Sequence, residues 1–162
     1  MRGKVTNEID VVGASADEIW AVYSSPELPT KIVFEITPGV IKKLDLLEGD
    51  GGAGSVLDVE LAEVFPEPRS WKEKFMKIDH ETRTKVIRHT EGGYLNIGFN
   101  LYEETFEIIE KDANSCIIRA TLDVDIDEDE KFQQNASRIT VDAFSGLGKA
   151  VSSYVIRNKS KN

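Results

Sequence analysis

The stretch Ser115-Cys116-Ile117-Ile118-Arg119-Ala120-Thr121-Leu122-Asp123-Val124-Asp125-Ile126 decides the fold, because the chain changes its period just beyond it. Val124 and Ile126 alternate with Asp123 and Asp125, the spacing of a half-buried strand. From about Asp129 to Arg157 the apolar residues Phe132, Ala136, Ile139, Ala143, Leu147, Ala150 or Val151, and Tyr154 are spaced by three and four. That spacing predicts one long amphipathic helix, roughly 40 Å if unbroken at 1.5 Å per residue.

Working back toward the N-terminus, turn signals separate five further strand-like segments: Val40 to Leu47, Ser55 to Leu61, Trp71 to Ile78, Lys85 to His89 and Leu95 to Glu110. In Lys4 to Val12, Val5, Ile9 and Val11 share one parity while Lys4, Thr6, Glu8 and Asp10 take the other, which makes a first strand. Ser15-Ala16-Asp17-Glu18 is a capping box opening a short helix through Tyr23. Ser25-Pro26 is read as the cap of a second short helix that Pro29 limits. The expectation is an α+β chain, seven strands in a mostly antiparallel curved sheet that wraps a long C-terminal helix, with two short helices. Residues 1–162 are read as one domain, since a single core grows comfortably to this size.

Composition narrows the function classes. Twenty Lys and Arg against 29 Asp and Glu leave a net charge of −9, which repels phosphate backbones and anionic headgroups, so neither nucleic acid nor membrane is an expected partner. No apolar run approaches the ~18 to 20 residues of a membrane span, and the start Met1-Arg2-Gly3-Lys4 does not resemble a signal peptide. A soluble, cytoplasmic protein, monomer or homodimer, is expected. Cys116 is the single cysteine and sits among Ile117, Ile118 and Ala120, so it reads as a buried structural thiol.

Several motifs dissolve on inspection. Gly49-Asp50-Gly51-Gly52-Ala53-Gly54 fits G-x-G-x-x-G, but a strand follows it instead of a helix, so it reads as a hairpin loop. Asp123, Asp125 and Asp127 imitate a calcium loop that lacks its glycine. His80 in a turn and His89 on a separate strand give no metal-ligand spacing. No metal and no cofactor are expected. Gly146 and Gly148 inside the helix stand either for close packing or for room for a ligand.

The informative residues are polar ones at inward parities. Glu73 shares its face with Trp71 and Phe75, Lys85 with Ile87, and Glu104 with Tyr102, Phe106 and Ile108. Two carboxylates and an amine thus point toward one apolar interior, where desolvation drives their pKa values toward neutrality and suits them to acid/base work. A structural ion pair is the alternative.

Glu48-Gly49-Asp50-Gly51-Gly52-Ala53-Gly54-Ser55, Trp71-Lys72-Glu73-Lys74-Phe75, Ile78-Asp79-His80, Glu91-Gly92-Gly93-Tyr94-Leu95 and the terminal helix together resemble the birch-pollen-allergen family, the pathogenesis-related proteins of class ten. Ala14-Ser15-Ala16-Asp17-Glu18-Ile19-Trp20-Ala21-Val22-Tyr23-Ser24 adds a likeness to its norcoclaurine-synthase-like branch. The resemblance implies a seven-stranded antiparallel sheet gripping the C-terminal helix around a large apolar cavity. In that branch a tyrosine, a glutamate, a lysine and an aspartate condense dopamine with an aldehyde. By motif, the glutamate falls on Glu73 and the lysine on Lys85, while the aspartate position holds Glu104 and the tyrosine position Trp71, which has no titratable hydroxyl.

That departure favours proton transfer on a bulky apolar amine. The branch's double-bond isomerisation of a morphinan enone, neopinone to codeinone, is the expected reaction. The Pictet–Spengler condensation of dopamine with 4-hydroxyphenylacetaldehyde and non-catalytic carriage of apolar plant metabolites are the alternatives. The expected partner is a small-molecule alkaloid, with catalytic Glu73, Lys85 and Glu104 and substrate walls from Trp71, Phe75, Tyr94, Tyr102, Phe106, Phe144 and Leu147.

Overall fold

A computed structural model describes residues 1–140 and 142–161. Seven strands form a single open antiparallel sheet: β1 (Arg2–Val12), β2 (Ile41–Glu48), β3 (Val56–Leu61), β4 (Ser70–Asp79), β5 (Thr84–Gly92), β6 (Phe99–Asp112) and β7 (Ser115–Ile126). Their order is β1-β7-β6-β5-β4-β3-β2, so each strand after β1 lies beside its neighbour in sequence and β1 closes against the last one. Helix α1 (Ala16–Tyr23) begins at the expected capping box, with the Ser15 hydroxyl accepting from Glu18 N–H and Glu18 accepting from Ser15 N–H. Its Trp20 Nε1–H donates to His80 Nδ1 at 3.1 Å, which pins α1 to the β4–β5 turn.

Three local expectations are corrected. Pro29 does not limit the second helix but lies in the first turn of a π-type segment, Leu28–Ile32, that continues into α2 (Val33–Ile36). A helix start is where proline's missing N–H costs nothing, since the first N–H groups have no intrahelical partner. Second, Leu95 does not begin a strand, because Gly93–Ile97 forms a 3-10 turn and β6 starts at Phe99. Gly98, at φ +97°, makes the joint; a Cβ there would collide with the Phe132 ring, which covers this backbone.

The third correction is the long helix, which is three pieces: α3 (Glu130–Gln133), a 3-10 turn (Gln134–Arg138) and α4 (Asp142–Lys159). Two side chains of the middle piece reach distant connecting segments: Asn135 Nδ2 donates to Ile97 O at 2.9 Å and Arg138 to Glu67 O at 2.8 Å. Ile139 is extended, and the Thr140 hydroxyl accepts from Asp142 N–H, the bond an N-cap residue makes.

Of these pieces, α4 is the one that packs on the sheet, against β1. It buries Phe144, Gly148, Val151 and Val155 at helical spacing, while Ala143 of the expected stripe is exposed. Gly148 reflects close packing, since a Cβ would lie 2.5 Å from Ile9 Cδ1; Gly146 faces open space. The core collects the inward residues of β6 and β7, among them Phe106, Ile108, Ile118, Leu122 and Val124, together with α1. Cys116 is buried and its thiol is pushed up to about 11 by desolvation. Among the described residues no helix is long and apolar enough to cross a membrane, and no group of His, Cys, Asp and Glu is placed to hold a metal.

Candidate active site

Strand register brings the polar residues together. Glu73 on β4 pairs with His89 on β5, Ile87 on β5 with Glu104 on β6, and Lys85 with Phe106. Alternation along each strand then places Glu73, Lys85, His89 and Glu104 on the concave face that α4 covers.

Lys85 is the most buried of them, 2% exposed. Its Nζ donates to Tyr23 O at 3.0 Å and lies 4.1 Å from the Phe75 ring centroid. Tyr23 ends α1, so its carbonyl is one of those a helix leaves without an intrahelical partner, and the ammonium satisfies it at the negative end of the helix dipole. Burial nonetheless pushes the Lys85 pKa down to about 8, against the pull of Glu73 and Glu104.

Glu73 moves the other way. Desolvation, then the nearby charge of Glu104, lifts its carboxyl above the usual carboxylate range, opposed by His89, by the Trp71 hydrogen bond and by Lys85. That hydrogen bond runs from Trp71 Nε1–H to Glu73 Oε1 at 2.8 Å. The Glu104 side chain is 16% exposed, and its Oε1 lies 3.3 Å from His89 Nε2.

Around these groups runs an aromatic pile. Trp71 stacks on His89 (4.9 Å between centroids, 9° between planes), Tyr102 meets His89 at a tilt (4.4 Å, 39°), and Tyr102 stacks on Tyr94 (4.7 Å, 6°). Phe106 meets Phe144 of α4 edge to face at 5.6 Å, Phe75 is buried beneath Lys85, and Leu147 is half-buried against the same core. Burial and the charge of Glu104 raise the Tyr102 hydroxyl pKa, so Tyr102 stays neutral at ordinary pH.

The side chains expected as cavity walls therefore lie partly against one another. Two open clefts, about 540 and 410 Å³, lie one between α1, the glycine-rich loop and His80, the other between Ser70, Gly93 and Arg138. Neither is lined by Glu73, Lys85 or Glu104, so the expected single large cavity is not one of them. The second is lined by Ser70 and Gly93, the sequence neighbours of Trp71 and Tyr94.

The sequence reading missed His89 as a site residue. It is 4% exposed and belongs to the cluster, and its signal was the odd parity it shares with Lys85 and Ile87.

The model of the pathogenesis-related protein Bet v 1 family matches residues 1–157. The chain belongs to the Bet v 1 family. Within the family it is 41% identical over 151 residues to S-norcoclaurine synthase 2 of Papaver somniferum, covering 91% of this chain but only 63% of that protein. It is likewise 41% identical over 160 residues to norbelladine synthase of Narcissus pseudonarcissus, covering 99% of this chain and 96% of the relative. The fold superposes on norcoclaurine synthase of Thalictrum flavum in complex with dopamine and hydroxybenzaldehyde with a TM-score of 0.88 at 32% identity, covering 97% of this chain and 88% of that one. The chain thus spans under two thirds of the poppy synthase's length and nearly all of the Narcissus one.

Proposed function

We propose that this family member is a cofactor-independent enzyme of alkaloid biosynthesis that condenses an arylethylamine with an aldehyde. The observation that carries the reading is the placement of half-buried Glu73 and buried Lys85 on one face of the sheet, with the Lys85 pKa near 8 and Glu73 raised. The relatives support it: two are synthases by name, and the aligned Thalictrum structure holds an arylethylamine and an aryl aldehyde.

The chemistry needs two opposite proton movements. Attack of the amine on the aldehyde gives a carbinolamine, whose oxygen must take a proton before it leaves as water. An ammonium with a pKa near 8 is still protonated at pH 7 yet gives its proton up readily, which suits Lys85 to this step. If the aryl ring then closes on the iminium carbon, the ring carbon loses a proton to restore aromaticity. Glu73, desolvated and hence more basic than a surface carboxylate, takes it. The apolar surroundings exclude water that would hydrolyse the iminium.

A second reading is favoured by one feature, the indole at position 71 tied to Glu73 where the branch has a phenol. Double-bond isomerisation of a morphinan enone needs one carboxylate to remove a proton beside the ketone and return it at the far end of the dienol, with Lys85 stabilising the enolate oxygen. Assays of the purified protein with dopamine plus 4-hydroxyphenylacetaldehyde, and separately with neopinone, decide between them. Turnover in the first is the expected result, turnover only in the second selects isomerisation, and saturable binding without turnover of either makes the protein a carrier.

A further inference from the structure

We propose that His89 is a positioning residue that sets both carboxylates of the cluster, Glu104 directly and Glu73 through Trp71. Only the kinetic consequence rests on the condensation reading above. In its Nε2–H tautomer the imidazole donates to Glu104 Oε1 at 3.3 Å. One face of the same ring lies flat on the Trp71 indole, 9° from parallel, and that indole N–H donates to Glu73 Oε1. Tyr102 packs against the imidazole ring at 4.4 Å, tilted by 39°, and is backed in turn by Tyr94. One ring thus holds a carboxylate with its edge and the donor to the second carboxylate with its face, from a register position directly across from Glu73.

Packing alone does not call for an imidazole here. The His89 Nδ1 is buried and has no hydrogen-bond partner among the described residues. A phenyl ring would keep both ring contacts and leave no buried nitrogen unpaired, so histidine is unfavourable at this position except for what Nε2 does. Two variants separate the two links. His89→Phe keeps the stacked ring and deletes the donor; His89→Gln keeps a donor and deletes the ring.

The test is NMR on the full chain. The two indole N–H signals of Trp20 and Trp71 are told apart by Trp71→Phe, and the Glu104 side-chain carboxyl signal is identified by Glu104→Gln. We expect His89→Phe to displace the Glu104 carboxyl signal while the Trp71 indole signal stays, and His89→Gln to displace the Trp71 indole signal. Glu104→Gln, which leaves the imidazole in place, should move the ring nitrogen signals of His89. In the amine–aldehyde assay His89→Phe should lower kcat on the order of 10- to 100-fold with KM little changed, the signature of misplaced reacting groups. A Glu104 signal unmoved by His89→Phe, or a Trp71 signal unmoved by His89→Gln, overturns the proposal, as does an unchanged kcat in a variant that merely melts earlier. A wild-type protein that condenses nothing sinks the functional reading instead and leaves the NMR result to decide this one.

Discussion

Trp71 and Glu73, two residues apart on β4 and therefore on the same face, are joined by an indole N–H···carboxylate bond of 2.8 Å. An N–H donor stabilises the ionised form of the carboxyl it touches, and so counters the desolvation that raises Glu73. The indole cannot itself take up or release a proton. Trp71 therefore tunes the proposed base without joining the proton transfers.

Removing that donor with Trp71→Phe should raise the Glu73 pKa further. If Glu73 acts as base, the acidic limb of the pH–rate profile should move to higher pH in Trp71→Phe. A limb that stays in place detaches Glu73 from the base role. Trp71→Tyr restores the hydroxyl of the resembled branch and should raise amine–aldehyde condensation relative to Trp71→Phe.

Glu73→Gln retains an acceptor for the Trp71 N–H but cannot exchange a proton. Turnover should fall roughly 10²- to 10⁴-fold, the usual worth of a positioned acid or base. The melting temperature should hold or rise, because a half-buried, desolvated carboxylate near the charge of Glu104 is relieved. Early melting with normal activity per folded molecule would mark Glu73 as a structural partner instead.

For Lys85 the sign of the stability effect follows from linkage. Its pKa is near 8 in the folded chain against 10.5 for an ordinary lysine, so between these values the unfolded chain binds more protons. Stability from this group rises with pH through that window, by on the order of 3 kcal/mol, and is at its least below pH 8. The stability of wild type relative to Lys85→Met should accordingly increase between pH 8 and 10.5 in paired denaturant titrations. A constant difference across that window would show that Lys85 is not desolvated as described.

Two glycines of α4 give a packing test. Gly148→Ala must push Ile9 aside, whereas Gly146→Ala meets nothing within 4 Å. Replacing a helical glycine with alanine gains up to about 1 kcal/mol, worth roughly 2 to 4 °C in a chain of this size. Gly146→Ala should melt higher than wild type by that amount and Gly148→Ala should melt below Gly146→Ala. Equal melting temperatures would contradict the close approach of Ile9.

The sequence by itself determined the number of strands and most of their extents, the first helix and the facing of the key side chains. Alternation is a local property, so Val5, Ile9 and Val11, or Lys85 and Ile87, reveal their face without any knowledge of what lies opposite. The capping box at Ser15 is equally local, since all its bonds close within four residues. The family's motifs lie on these same strands and turns. What the sequence did not determine depended on contacts between distant segments. Spacing alone carried the helix through Gln134 to Ile139, but Asn135 and Arg138 bond to Ile97 and Glu67, far away in the chain, and break it. His89 had no motif around it; it became a site residue only when β4 and β6 brought Trp71, Glu73 and Glu104 against it. The shifts of Glu73 and Lys85 are likewise products of the assembled fold, because desolvation and charge proximity are properties of the space a side chain occupies and not of its neighbours in sequence.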